Sequence, residues 1–157
     1  MVAATGFRVG GPVGGLIGLA AGFSAYDLFR KQQEKTKVFV SFDFDNDRGL
    51  RDLLIGQARN SDSPFEVIDH SLKEAAPERH WVDKAWRAIA STDVVVVMLG
   101  PKTRFAQGVL KEVQIANELG KRRFQLIGYT DGGESWKVAD GGRVYRWSWD
   151  NLKNLLN

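Results

Sequence analysis

Residues 37–157 are predicted to form an α/β domain: a doubly wound parallel sheet of five strands between two helical layers. Three observations point to it. Strand-like runs alternate strictly with helical patterns, the helical segments each carry one apolar stripe, and one run, Asp93–Leu99 (DVVVVML), is apolar almost without a break. Strict alternation calls for crossover connections and therefore for parallel strands. An unbroken apolar run implies a strand buried on both faces.

Val38–Phe42 (VFVSF) is the first strand, short and rich in β-formers. Asp47–Ala58 follows with Leu50, Leu53, Leu54 and Ala58 at helical spacing. Phe65–Asp69 (FEVID) is a more polar strand, suited to a position near an edge. Trp81–Ala90 puts Val82, Ala85, Trp86 and Ile89 on one helical face, and Asp93–Leu99 is the strongest strand. Val109–Leu119 is helical and stops at Gly120, with Lys121, Arg122 and Arg123 at its end. Phe124–Tyr129 and Val144–Trp147 supply the last strands, separated by a loop, Asp131–Gly142, whose four glycines suggest mobility. A final helix begins at Asp150 and runs through Leu152, Leu155 and Leu156. No internal repeat is visible.

Composition removes several classes of chemistry. The chain of 157 residues contains no cysteine, which excludes disulfides, thiolate metal sites and cysteine nucleophiles. His70 and His80 are its only histidines, too few for a multi-histidine metal centre. The net charge is +3, of which the first 36 residues hold +2, so the domain itself is close to neutral. No basic stripe interleaves with aromatics, and nucleic acid is not an expected partner. No GxxxxGK[ST] loop exists and no GxGxxG follows the first strand, so conventional NTPase and dinucleotide dehydrogenase chemistry is not expected.

Residues 1–36 form a separate segment. Val9–Tyr26 is an uncharged run of 18 residues in which Gly10, Gly14, Gly18 and Gly22 recur at every fourth position. On a helix this is a smooth face that another backbone can approach closely, as in packed membrane helices. In water each glycine costs about 1 kcal/mol relative to alanine, so lipid or a partner helix has to compensate. A glycine-zipper helix that inserts in a membrane or self-associates is the expectation; a disordered tail and a secretory signal are the alternatives. Arg30, Lys31, Lys35 and Lys37 follow the run while Arg8 alone precedes it. The positive-inside rule then places the C-terminal domain in the cytoplasm, anchored to the inner membrane by residues 9–29. RKQQEKTK reads as a charged linker, and Lys37 opens the domain.

Ligands of doubly wound sheets bind at the carboxyl ends of the strands, beside the switch point. That directs attention to Ser41–Asp47, to Gly100–Arg104 and to the start of the next helix. Asp43, Asp45 and Asp47 are three carboxylates in five residues, a pattern open to two readings: a divalent-cation site, or a helix cap (Asp45 or Asp47) with solvated neighbours. No metal is assigned. Ser41 has no evident partner base, and both histidines read as structural or surface groups. Glu112 stands out. It falls in the rhythm Val109, Glu112, Val113, Ala116, Leu119, Gly120 of a buried helical stripe, whereas Glu118 falls off it. An acid on that stripe needs a partner or a cavity, and burial would raise its pKa toward proton-handling chemistry.

With these residues in view, the order KVFVSFDFDNDRGLRDLLIGQARNSDSPFEVIDHSLKE (37–74), WVDKAWRAIASTDVVVVMLG (81–100), Thr103, GVLKEVQIANELGK (108–121) and YRWSWDNLK (145–153) resembles the TIR-like family. The resemblance is to the bacterial and archaeal subgroup that includes the NAD-handling component of Thoeris antiphage defence. It implies a flavodoxin-like fold and, for active members, cleavage of the nicotinamide–ribose bond of NAD. The ADP-ribose product can be cyclised into a signal for a separate effector protein. The family's catalytic glutamate, early on the helix after the third strand, maps onto Glu112. Position in the same fold marks Ser41, Phe42, Asp43, Trp81 and Thr103 as contacts to the substrate. NAD is then a substrate rather than a resident cofactor, and the expected partners are NAD or a derived nucleotide, further copies of the chain, an effector and a membrane. The alternative is a noncatalytic signalling or assembly module, including a membrane-tethered effector whose glycine zipper inserts and oligomerises.

Overall fold

The structure, a computed structural model, describes residues 24–68 and 78–157. The glycine-zipper run to Phe23, and also Asp69 and His70, lie outside the described residues. The chain divides into two compact units, Met1–Glu34 and Lys35–Asn157.

In the first unit a helix, α1, spans Ala25–Gln33. Ser24 and Asp27 open it by reciprocal hydrogen bonds: the Asp27 amide donates to Ser24 Oγ, and the Ser24 amide and hydroxyl donate to Asp27 Oδ2. This is a capping box with aspartate in the place of the usual glutamate. The Ser24 backbone and side-chain bonds hold the Asp27 carboxyl below its usual range. Helix therefore covers residues 30–33, which the sequence marks as linker. The charged run Arg30–Gln33 contains no glycine or proline and extends the turn that the box nucleates. Among the described residues no helix is long and apolar enough to cross a membrane.

The second unit contains β1 (Thr36–Ser41), α2 (Arg48–Ala58), β2 (Phe65–Val67), α3 (Glu78–Ala90), β3 (Val94–Leu99), α4 (Gln107–Glu118), β4 (Arg122–Ile127), β5 (Arg143–Arg146) and α5 (Trp149–Leu156). The five strands pair in parallel in the order β2-β1-β3-β4-β5. The parallel pairing is as the alternation of elements predicts, and the order is the flavodoxin-like one that the resemblance implies.

β3 is the centre, and all six of its residues are buried. Its pleat separates two cores. Val95, Val97 and Leu99 join Phe39 of β1, Ala85 and Ile89 of α3, and Val109, Val113 and Ala116 of α4. Val94, Val96 and Met98 join Leu50 and Leu54 of α2, Phe124 and Leu126 of β4, and Leu152 and Leu156 of α5. Full burial of one such side chain contributes about 1.5–3 kcal/mol. Two helical layers thus close the two faces of one sheet.

Several local expectations change. Leu53 is 63% exposed although it shares helical spacing with Leu54; the buried stripe of α2 is narrower than the run of leucines. Trp86 is also exposed on α3, and Ala88 packs inward beside Ala85 and Ile89. The Asp131–Gly142 loop is anchored, not loose. Gln125 on β4 accepts from the Val138 amide at 2.8 Å and donates to the carbonyls of Val138 and Gly142. At the end of α4, Gly120 takes φ +62°. The Gly120 and Lys121 amides then return to the carbonyls of Asn117 and Ala116, which closes the helix as a Schellman motif.

Candidate functional site

β1 and β3 are neighbours, but the chain leaves them toward opposite edges of the sheet, β1 to β2 and β3 to β4. A crevice forms where the two connections part. Its floor is built from the ends of β1 and α4, and its walls from the loop after β1 and the segment before α4.

The loop after β1 is shaped by Asp43. Its carbonyl accepts from the amides of Asn46 and Asp47, and its carboxylate from the Asp45 amide at 3.1 Å and Asn46 Nδ2 at 2.7 Å. This tight turn lets Phe42, Phe44 and Arg48 face one cleft of about 670 Å³, within the range of small-molecule sites. Trp81, Lys102, Phe105, Gln107 and Glu112 also line this cleft.

Glu112 lies in the second turn of α4 and is 9% exposed. The Ser41 hydroxyl donates to Glu112 Oε2 at 2.5 Å. Ser41 is the last residue of β1, opposite Val97 of β3, so the sheet register fixes where this hydroxyl stands. An acid on an otherwise apolar stripe has thereby acquired a buried donor, the condition for keeping it there.

The cleft is lined by aromatic rings and cations. The rings of Phe42 and Phe44 are 6.1 Å apart. The Arg48 guanidinium lies 4.0 Å from the Phe44 ring centre, and Arg51 lies 5.9 Å from that of Phe42. Arg48 Nε also donates to the Phe44 carbonyl, and Arg51 pairs with Asp52 at 2.9 Å. Arginine held over an aromatic face is pre-organised for planar or anionic groups.

The residues marked in the sequence fall into two sets. Glu112, Phe42, Asp43 and Trp81 line the cleft. Ser41 and Thr103 do not: both are completely buried. Ser41 stands behind Glu112, bonded to it and not open to the cleft. Thr103 faces the loop junction, where its hydroxyl accepts from the Gly100 amide at 2.7 Å and lies 3.4 Å from both Asp47 Oδ2 and the Met98 carbonyl. His80 is exposed and does not line the cleft.

The three aspartates diverge. Asp43 is bound into its own turn, Asp45 is exposed, and Asp47 turns inward to accept from the Tyr129 hydroxyl at 2.7 Å. Among the described residues no group of three or more acids and histidines is placed to hold a metal ion. Asp47 occupies the N-cap position of α2 without capping it, contrary to the capping alternative. Its hydrogen bond, with burial and the charges of Asp47 and Asp131 adding to it, pushes the Tyr129 phenol up to about 12.

Arg48, Arg51 and Lys102 were missed as site residues. The available signal was positional: Arg48 and Arg51 sit three apart at the start of the helix that follows the switch-point strand. Phe105, 65% exposed, had no periodic pattern to mark it.

The parallel order and the crevice beside β1 define a flavodoxin-like domain with a buried glutamate at the switch point. A family model described as "Thoeris protein ThsB, TIR-like domain" matches residues 39–130, and the chain belongs to this family. Among solved structures it is similar to one titled "Crystal structure of conserved protein from Enterococcus faecalis V583", at 18% identity and a TM-score of 0.55, over 76% of this chain and 96% of that one. It also matches "Structure of Clostridium botulinum CMP N-glycosidase, BcmB", at 15% identity and a TM-score of 0.48, over the same shares of the two chains. At these identities the likeness concerns the fold alone. A comparison with curated proteins found no match.

Proposed function

We propose that the domain cleaves the nicotinamide–ribose bond of NAD, with Glu112 as the catalytic residue. The observation that carries this is the placement of Glu112: a buried carboxyl at the floor of the switch-point cleft, fixed by the Ser41 hydroxyl. Membership of the TIR-like family supports it as well.

In this reaction the bond between C1′ of the ribose and the pyridinium nitrogen breaks, and its electron pair leaves with neutral nicotinamide. Positive charge develops on the ribose ring, and a carboxylate held against that ring stabilises it. Water then adds to C1′ and loses a proton, giving ADP-ribose. When a nucleophilic atom of the ADP-ribose itself adds in place of water, the product is cyclic. Phe42, Phe44 and Trp81 offer faces for the rings of a dinucleotide, and Arg48, Arg51 and Lys102 offer charge for its phosphates. Asp43 shapes the loop that presents them.

In this proposal the product signals to a separate effector in antiphage defence, further copies of the chain assemble with it, and residues 9–29 attach the domain to the inner membrane. The uncharged run from Val9 to Tyr26 supports that attachment, as do Tyr26, Leu28 and Phe29, which are all exposed on α1. Fractionation of cells expressing the full chain and a chain lacking residues 1–30 tests it; equal solubility of the two would contradict it.

A noncatalytic nucleotide-binding module is the second reading. The partnered state of Glu112 favours it, since a hydrogen-bonded buried acid also serves as a structural group. The two readings part on nicotinamide release from NAD, measured by chromatography: the enzyme releases it, and the module binds without releasing it.

A further inference from the structure

The mechanism leaves one buried acid unused. Asp47 is 2% exposed and stands at the junction of three strand ends. It belongs to the loop after β1, its Oδ1 accepts from Tyr129 just beyond β4, and its Oδ2 faces Thr103 and Gly100 just beyond β3. A Cβ on Gly100 would fall on this carboxylate, so the approach requires glycine there.

Its place in α2 makes the arrangement informative. Aspartate at an N-cap normally accepts from the first-turn amides, and giving up such a cap costs about 1 kcal/mol. Here the carboxylate turns away from the helix and is spent on Tyr129 and Thr103. The phenol is a protonated donor at physiological pH even at its ordinary value, and the Asp47 carboxylate beside it raises that value further. At the other end of the same loop, the amides of Asp45, Asn46 and Asp47 all return to Asp43. Between these two anchors lies the wall that faces the cleft: Phe44, Asn46 and, one residue on, Arg48.

We propose that Asp47 is a positioning residue whose clasp on Tyr129 and Thr103 holds the Phe42–Arg48 loop in the shape that admits ligand to the cleft. Tyr129 is thereby a second positioning residue, outside the cleft, on the wall of a separate groove with Leu53, Arg146 and Trp147. The inference rests on the cleft being a ligand site, but the loop can be measured without assuming which ligand enters.

The test uses the full chain, with Tyr129→Phe and Asp47→Asn beside wild type. Hydrogen exchange is followed by mass spectrometry without ligand, and kcat and KM for NAD are then determined. In Tyr129→Phe, exchange at residues 43–48 is expected to run about tenfold faster while β1 and β3 keep their protection. KM is expected to rise about three- to tenfold with kcat within about twofold of wild type. Unchanged exchange at 43–48 would overturn the proposal. So would acceleration of every segment together, which marks a global loss of stability, or a loosened loop with unchanged KM. Should Asp47→Asn fail to fold, Tyr129→Phe decides alone, since it removes one hydroxyl from a half-buried ring. Should wild type not turn over NAD, the proposed reaction fails, and the exchange pattern still decides the clasp.

Discussion

Ser41 and Glu112, 71 positions apart in sequence, meet in a 2.5 Å hydrogen bond that joins the end of β1 to the second turn of α4. The bond ties the floor of the cleft to the middle of the sheet, because Ser41 lies in register with Val97 of the fully buried β3. Glu112 is thus tied to the end of a central strand of the sheet. Placement on rigid elements is what a catalytic carboxyl needs to meet a developing charge.

Ser41→Ala removes that tie and leaves the cleft lining in place. Turnover of NAD is expected to fall about tenfold or more in kcat, with KM changed by less than about threefold. Steady-state kinetics checks this. A rise in KM alone would mean that Ser41 serves binding and that its bond to Glu112 is incidental.

Arg48 reaches the cleft by stacking on Phe44, where its charge is available to a phosphate. Arg48→Gln is expected to raise KM about three- to tenfold and to leave kcat within about twofold. Added salt screens exposed charges, so the KM of wild type should climb more steeply with ionic strength than that of the variant. Parallel salt dependences would remove Arg48 from the binding account.

The two neighbouring leucines of α2 separate core from surface. Leu54→Ala opens a cavity beneath the sheet and is expected to cost about 2–5 kcal/mol. Leu53→Ala, at an exposed position, is expected to stay within about 0.5 kcal/mol of wild type. Urea denaturation measures both. Equal losses would contradict the orientation of α2.

The fold was legible because its signals are local and periodic. The unbroken apolar run within Asp93–Leu99 marked a strand buried on both faces, and Gly120 marked the end of α4, where a left-handed residue is needed. The stripe through Val109, Val113 and Ala116 is buried as its spacing required. Leu53 and Trp86 defeated the same reasoning because periodicity alone does not set how wide a stripe the sheet covers. At the site, the burial of Glu112 was legible from its helical phase. Its bond to Ser41 was not, since strand register brings the two together only in the folded sheet. For Asp47 the sequence leaves a cation site and a helix cap open, because only its near neighbours are legible there; its partners Tyr129 and Thr103 lie far along the chain. Arg48 and Arg51 had the right position but no pattern of their own to single them out.

The central claim is that Glu112 performs chemistry on NAD, and NAD turnover with product identification by mass spectrometry, wild type beside Glu112→Gln, tests it most directly. Glutamine keeps the shape and can still accept from Ser41, so folding should be retained. The account predicts that wild type releases nicotinamide together with ADP-ribose or its cyclic form, and that Glu112→Gln is slower by at least about 100-fold at unchanged thermal stability. Turnover by Glu112→Gln at the wild-type rate, or no turnover by folded wild type, would contradict it.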